Sequence, residues 1–266
     1  MKDQKILFFD IDGTLLTAPP FSVPASAKLA LKKAREQGHL LFVNSGRTLG
    51  MISPLIRELD FDGYVCGCGS QIYMHGQLLF SSTVPHELCR KTIAVLRECR
   101  VAAFFEQPSG ILYDGDSPVS CMDVEHLKDR VKAVDLCRFP RRQAESFTFD
   151  KFLAFLQEDT LEEKFRAFCE EHFRYFDHGR RIWEVTQKSC SKATGMEFLL
   201  KKLDIPLENS YAFGDSTNDL PMLEYAGHSI AMGNSMEEIL PCCSYQTTDV
   251  DQDGIYNAML HFGLIG

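Results

Sequence analysis

Four short apolar runs, each cut off abruptly by a polar residue or glycine, constrain this 266-residue chain more than any other feature. They are Ile6-Leu7-Phe8-Phe9 before Asp10, Leu40-Leu41-Phe42-Val43 before Asn44-Ser45-Gly46, Tyr211-Ala212-Phe213 before Gly214-Asp215, and Ile230-Ala231-Met232 before Gly233-Asn234. Continuous apolar runs of this kind suit strands buried on both faces, as in a parallel sheet. Helical patterns lie between them. Ser26 to Gln37 carries Leu29, Leu31 and Ala34 with Lys and Arg on the other face, and Gly38 is placed as a C-terminal stop. Lys192 to Leu203 and Leu220 to Ala226 read the same way. Strand, helix and strand in alternation predict a doubly wound α/β fold: a Rossmann-like parallel-sheet core with helices on both faces.

The middle of the chain reads differently. His86 to Cys99 and Leu161 to His172 have helical patterns, while Val101 to Phe105, Ile111 to Tyr113 and Phe147 to Phe149 have strand patterns. None of these strands ends in a Gly-Asp or Ser-Gly step. The expected organisation is a core of residues 1–82 and 186–266, with residues 83–185 inserted as an α/β cap domain. The aromatics of that insert, among them Phe104, Phe105, Phe147, Phe149, Phe152 and Phe155, are expected to fill its own core.

Charge and cysteine usage narrow the partners. A net charge of −9 argues against nucleic acid or an anionic membrane, both of which call for clustered cations. The first apolar run is too short for a signal-peptide core or a membrane span, so a cytoplasmic location is expected. The ten cysteines show no paired CxxC zinc pattern and are read as reduced, small hydrophobes.

The chemistry is concentrated where the four runs stop. An open parallel sheet binds its ligand beyond the carboxyl ends of its strands, so Asp10, Asp12, Ser45, Asp215 and Asn218 should converge there. Several carboxylates held together repel one another unless a cation neutralises them, and all-oxygen ligation suits Mg²⁺. A carboxylate in such a cluster can attack phosphorus and split one difficult displacement into two easier ones. A second carboxylate two residues on is placed to protonate the leaving oxygen and later to deprotonate water. A hydroxyl, a backbone N–H in a glycine-containing turn and a lysine would steady the phosphoryl oxygens.

These residues resemble those of a known family. Asp10-Ile11-Asp12-Gly13-Thr14-Leu15 matches the DxDGTL motif of the haloacid dehalogenase superfamily of phosphatases, and Gly214-Asp215-Ser216-Thr217-Asn218-Asp219 resembles its GDxxND motif. Ser45-Gly46-Arg47 resembles the second motif, and Lys192 in Ser191-Lys192-Ala193 is similar to the third-motif lysine that opens a helix. The insert between the second and third motifs, together with Ala231-Met232-Gly233-Asn234 and Asp253-Gly254-Ile255, looks like the Cof-type branch. The resemblance covers residues 5–82 and 186–262; the insert resembles the branch in size and position only.

The resemblance implies a role for each residue. Asp10 would be the nucleophile and a Mg²⁺ ligand, and Asp12 the general acid/base, its backbone carbonyl also on the metal. Asp215 would complete the protein ligands, with Asp219 supporting them from behind. Ser45, Gly46 and Asn218 would contact the phosphate, and Lys192 would balance the charge on Asp10. The cap would close over the strand ends, hinged near Thr83 and Glu184. Some positions depart from the pattern or carry alternatives. Cys68-Gly69-Ser70 stands where the branch usually has Asn-Gly, and Ser216 where Gly is commoner. Lys188 is a rival for the lysine role, and Arg47 is either a phosphate contact or the partner of a surface acid. His178 and Arg180 are candidates near the return to the core.

The implied activity is Mg²⁺-dependent hydrolysis of a small phosphorylated metabolite, a sugar phosphate or similar monoester, through an aspartyl-phosphate intermediate. A phosphotransferase or mutase using the same intermediate and a non-catalytic metabolite-binding protein on the same fold are the alternatives. A dehalogenase is disfavoured, because it would have no need of Asp12 or of metal carboxylates. Oligomeric state is not legible in the sequence.

Overall fold

The four apolar runs become neighbouring strands of one sheet in the computed structural model, which describes residues 4–119, 134–135 and 147–266. They form β1 (Ile6–Phe9), β2 (Leu40–Asn44), β12 (Ser210–Gly214) and β13 (His228–Ala231). β1 pairs in parallel with β2 on one side, Phe9 opposite Val43, and with β12 on the other, Phe9 opposite Phe213. Four short strands that the sequence pattern does not announce extend the sheet at its edges: β3 (Gly63–Cys66), β4 (Gln71–Met74) and β5 (Gln77–Ser81) beyond β2, and β14 (Tyr245–Gln246) beyond β13. The pairings from β14 across to β3 are parallel, and β4 runs antiparallel to β3. The strand order therefore reverses at β1. In an open α/β sheet that reversal opens a crevice at the carboxyl ends of the flanking strands.

The helices bury narrow stripes against this sheet. In α1 (Ala25–Glu36) the buried residues are Ala27, Ala30, Leu31 and Ala34, spaced as one helical face requires. Leu29, expected on that stripe, is 47% exposed. It stands two residues from both Ala27 and Leu31, which turns it about 200° away at 100° per residue. On one face of the sheet Ile6, Phe8 and Phe42 pack with Met196, Leu199 and Leu200 of α5 (Lys192–Leu203) and Met222 and Leu223 of α6 (Leu220–Tyr225). Leu7 and Phe9 alternate to the opposite face, where Phe9 stacks on Phe213 at 4.6 Å between ring centroids. α1 packs with α7 (Gly254–His261), and a short α2 (Pro54–Arg57) precedes β3. Each fully buried Phe, Leu or Ile here is worth roughly 1.5–3 kcal/mol relative to leaving it in water.

By internal packing the chain divides into a unit of Met1–Arg47, Ile52–Phe80 and Ser191–Gly266 and a second unit of Thr48–Met51 and Ser81–Cys190. The second unit is built on a sheet ordered β10 (Phe173–Asp177), β11 (Ile182–Gln187), β9 (Lys151–Leu156), β6 (Val101–Gln107), β7 (Gly110–Tyr113) and β8 (Val134–Asp135). All its pairings are antiparallel except β7 with β8. Helices α3 (His86–Cys99) and α4 (Glu162–His172) cover one face, burying Phe105, Phe147, Phe149 and Phe152 with Trp183. Phe104 and Phe155 point to the other face, so the aromatics do not form one core. Phe147 to Phe149, expected as a strand, has no ladder among the described residues. The N–H of Val84 donates to the carbonyl of Phe149 (2.9 Å), while both phenyl rings sink into the helix-covered core. Glu184 stands in mid-strand, paired on both sides within β11, rather than at a chain junction.

Among the described residues eight cysteines are present and all are free; Cys121 and Cys137 lie outside them. No described helix is long and apolar enough to cross a membrane.

One buried charge makes the second unit sensitive to acid. Burial alone would push the Glu184 carboxyl up, but Lys151, and then His178 at 3.1 Å, outweigh it and hold Glu184 well below the usual carboxylate range. A carboxyl whose pKa is depressed on folding adds stability above its unfolded value, and that stability is lost as the pH falls through the folded value. The melting temperature should therefore drop as pH is lowered from about 5, and Glu184→Gln should make the drop shallower. Thermal melts of both proteins across that range test this.

Candidate active site

The site begins one residue beyond β1. The N–H of Asp10 donates to the carbonyl of Phe213 (3.0 Å), so sheet pairing carries Asp10 to the edge of the crevice before the chain turns. Gly13 makes the turn with φ +80°, and a Cβ on it would lie 2.4 Å from Oδ2 of Asp215. Only glycine lets the carboxylate from β12 come that close. Thr14 then donates through Oγ1 to Oδ1 of Asp215 (3.0 Å). The side-chain amide of Asn234 donates to the carbonyl of Gly13 (2.8 Å) and its oxygen accepts the N–H of Val250 (2.8 Å), tying this turn to the segment that follows β14.

The loop after β12 is organised by Asp219, which is fully buried. Its Oδ2 accepts the N–H groups of Asp215 (3.0 Å) and Ser216 (3.1 Å). Ser216 donates through Oγ to Oδ1 of Asn218 (2.9 Å), so Asn218 is held by its own loop. The spacing of Gly214-Asp215-Ser216-Thr217-Asn218-Asp219 thus has a local cause: a carboxylate four residues on closes the turn that presents Asp215.

Lys192 reaches this cluster from the first position of α5. Ser191 caps the helix, its Oγ accepting the N–H of Thr194 (3.1 Å) while Oγ1 of Thr194 accepts the N–H of Ser191 (2.9 Å). Asn44, fully buried at the end of β2, donates to the carbonyl of Lys192 (3.0 Å) and fixes the helix start against the sheet. The ammonium of Lys192 donates to Oδ1 of Asp10 (2.6 Å) and to Oδ1 of Asp219.

Asp10, Asp215 and Asp219 each bring a carboxylate oxygen to within 4.8 Å of the others. The charges are strongly coupled. Burial pushes the Asp10 carboxyl up to about 7, against the pull of Lys192 and with the help of Asp219 and Asp12. Burial, then Asp219 and Asp10, push Asp215 up to about 8. Burial would lower Lys192, yet the two carboxylates beside it hold it far above its ordinary value, so it stays an ammonium. With all three acids ionised, one ammonium leaves two negative charges uncompensated, which one divalent cation would balance. An all-carboxylate oxygen set of this kind fits a hard divalent ion.

The remaining predicted residues are placed as follows. Asp12 lies near the cluster along the chain, but its carboxylate is not one of the three grouped oxygens. The guanidinium of Arg47 grips it in a fork, Nη2 to Oδ1 at 2.6 Å and Nε to Oδ2 at 3.0 Å. Of the two readings of Arg47, this geometry is that of an acid's partner. Ser45 and Gly46 are buried at the end of β2, where Ser45 Oγ accepts the N–H of Arg47 (3.2 Å). Lys188 is engaged elsewhere: its ammonium donates to the carbonyls of Glu170 (2.6 Å) and Glu171 (3.0 Å), the exposed end of α4. His178 pairs with Glu184 in the second unit, and Arg180 takes a left-handed backbone there. Gly67, Cys68 and Gly69 all have positive φ, so the position where Asn is usual demands a left-handed residue, a conformation Asn tolerates better than most. Thr14, Asn44 and Asn234 were not singled out from the sequence for these positioning contacts. Thr14 lies inside the first motif, Asn234 ends Ala231-Met232-Gly233-Asn234, and Asn44 adjoins the second motif, and those positions are the signal that could have found them.

The chain matches the family of haloacid dehalogenase-like hydrolases over residues 7–259. It belongs to that family. YkrA of Bacillus subtilis (strain 168) is 28% identical over 99% of this chain and 99% of its own. The HMP-PP phosphatase of Cronobacter sakazakii (strain ATCC BAA-894) is 26% identical over 87% of this chain and 85% of its own. Among solved structures, the HAD subclass IIB sugar phosphatase BT4131 superposes with a TM-score of 0.83 at 26% identity, covering 98% of this chain and 100% of that one. The haloacid dehalogenase-like fold, a parallel-strand α/β core with a cap domain, and the enzyme class, a hydrolase of phosphoric monoesters, are those the motifs implied.

Two measurements probe this cluster. Lys192→Met should leave Asp10 and Asp219 facing each other without a cation, at a cost to stability of about 3–5 kcal/mol, read by denaturant unfolding. Because Asp10 and Asp215 hold protons up to about 7 and 8, divalent-cation affinity should strengthen as pH rises through that range, with proton release on binding. Isothermal titration in buffers of different ionisation enthalpy measures both.

Proposed function

We propose that this protein is a cytoplasmic, Mg²⁺-dependent phosphatase that hydrolyses a small phosphorylated metabolite, a sugar phosphate or similar monoester, through an aspartyl phosphate on Asp10. The observation that carries the reading is the buried Lys192 ammonium shared by Asp10 and Asp219 beside Asp215. Bound Mg²⁺ supplies the positive charge that lets an anionic carboxylate and a phosphate approach each other.

The chain's own residues do the rest. A carboxylate oxygen of Asp10 attacks phosphorus, the bond from phosphorus to the ester oxygen breaks, and Asp12 gives that oxygen its proton. Water then attacks the phosphorus of the acyl phosphate, Asp12 takes its proton, the bond from phosphorus to the Asp10 oxygen breaks, and inorganic phosphate leaves with Asp10 and the protonated Asp12 regenerated. Asp12 acts only once Arg47 loosens its fork, so Arg47 sets when the acid is available. Ser45, the N–H of Gly46 and Asn218 bind phosphoryl oxygens, Asp10, Asp215 and the carbonyl of Asp12 hold the cation, and Asp219 keeps Lys192 and the Asp215 loop in register. The insert, residues 83–185 as read from the sequence, selects the organic group. Relatives whose names specify HMP-PP and sugar phosphate substrates support a small metabolite rather than a nucleic acid or a membrane as the partner.

Asp10→Asn keeps the shape of the side chain and removes the nucleophile. Turnover of an aryl phosphate should fall by ~10³-fold or more with the melting curve still cooperative, and excess chelator should silence the unmodified enzyme. Substantial turnover by the variant would remove Asp10 from the role of nucleophile. Adding an acceptor alcohol and finding the phosphate on it rather than in solution would turn the reading toward a phosphotransferase.

A further inference from the structure

The first unit holds a cavity that the proposed reaction does not account for. Its volume is about 610 Å³, and its walls come from three parts of that unit: Asp12-Gly13, the loop of residues 17–22, and Asn234 with residues 249–251. Small-molecule sites run to roughly 300–1,000 Å³, and one water fills only about 30 Å³. Each wall is fixed by its own bonds. The loop closes on itself, the N–H of Thr17 donating to the carbonyl of Ser22 (3.0 Å) and the N–H of Ser22 to Oγ1 of Thr17 (3.1 Å). Phe21, in that loop with Pro19 and Pro20, is left 56% exposed. The N–H groups of Gln252 and Gly254 both donate to the carbonyl of Asp249 (2.9 and 3.2 Å), so the acidic segment is a tied turn. The Asp249 carboxylate lies against Gly233, where a Cβ would stand 2.3 Å from its Oδ1.

The lining carries three carboxylates and no cation. Arg47 compensates Asp12. Asp249 and Asp251 have no ion pair and no side-chain hydrogen bond among the described residues, so two negative charges stand uncompensated. That disfavours phosphate or any other anion as the occupant. A metal ion fits no better. Among the described residues only Asp10, Asp215 and Asp219 gather three carboxylate oxygens within 4.8 Å. An ion that needs oxygen on every side would instead meet Phe21, the prolines and Val250 here. An organic ammonium satisfies both kinds of wall. Its carbon skeleton suits the apolar residues, its N–H groups suit the carboxylates, and its charge suits the face of an exposed aromatic ring. The cavity also adjoins the reaction. With Asp12 as the acid that protonates the ester oxygen, the group bonded to that oxygen begins at a residue of the cavity wall.

We propose that this cavity takes the leaving group of the substrate and selects one that carries an ammonium, with Asp249 and Asp251 accepting its N–H bonds and Phe21 facing its charge. This rests on the reading of the protein as a phosphatase with Asp12 as its acid. It makes the favoured substrates phosphate esters of amino alcohols and amino sugars, over neutral esters of the same shape.

The test measures kcat/KM, on the full chain with Mg²⁺, for ω-aminoalkyl phosphates of increasing length and for n-alkyl phosphates with methyl in place of the amine. At the best length the parent should prefer the amine about tenfold, the order expected for a hydrogen bond to a charged group. The preference should lie mainly in KM and shrink as salt is raised. Asp249→Asn and Asp251→Asn keep the side chain's size and remove one charge each. Each should reduce the preference about threefold, and the double variant should abolish it. Phe21→Leu, which keeps an apolar side chain without the ring, should also cost about threefold. A parent without the preference, a preference that survives the double variant, or equal losses on both series would overturn the proposal. If the parent turns over neither series nor phenyl phosphate, the phosphatase reading fails by itself. The cavity is then judged by NMR: 5-aminopentanol should shift the amide resonances of Phe21 and Val250 in the parent and not in the double variant, and no shift in the parent overturns it.

Discussion

The contact on which the rest of the structure turns is the ammonium of Lys192 held between Asp10 and Asp219. It sits at the first position of a helix, where the backbone dipole disfavours a cation. It is also almost fully buried, where a lone charge is costly. Two carboxylates outweigh both penalties and keep it protonated. The converse holds for the acids: without Lys192, Asp10 and Asp219 would share a dry site with nothing between them. A well-packed apolar set would stabilise the fold about as well, so the charges are best understood as kept for the chemistry they make available.

Much of the surrounding architecture serves to deliver that ammonium and its acids to one point. The strand-order reversal at β1 brings the ends of β1, β2 and β12 together. Asn44 anchors the start of α5 to β2, so the lysine enters from a fixed direction. Gly13 gives up its side chain to admit Asp215, Thr14 orients that carboxylate, and Asp219 folds its own loop while also binding Lys192. Asn234 holds the Gly13 turn from the far end of the chain. Each device is a short polar side chain or a missing one, and each acts over a single hydrogen bond or a single close approach.

The second unit solves a different problem with the same materials. One face of its sheet follows the ordinary rule, aromatic rings under two helices. The other face buries Glu106, Lys151, Glu184 and Thr186 side by side. Its charges pair with one another, Lys151 with Glu106 and Glu184, and Glu184 also with His178.

The sequence by itself determined the strands of the first sheet's centre, the helices between them and the identity of the acids. Those signals are local: an apolar run ending in a polar step reads as a buried parallel strand, Asp10 and Asp215 stand at such junctions, and Lys192 opens a helix. What the tertiary structure decided is everything set by distance across the chain. Phe147 to Phe149 has strand composition but becomes a coil, because its rings are worth more in the aromatic core than its backbone would gain from a ladder. Leu29 is exposed because the buried face of α1 is the one that carries Ala27, Ala30, Leu31 and Ala34, and Leu29 lies about 200° from its neighbours on it. The pairing of Arg47 with Asp12, the capture of Lys188 by the end of α4, and the alignment of Glu106, Lys151 and Thr186 depend on strand register and loop closure. Register is a property of pairs of segments far apart in sequence, so no local pattern could have revealed which charged residues would be buried together.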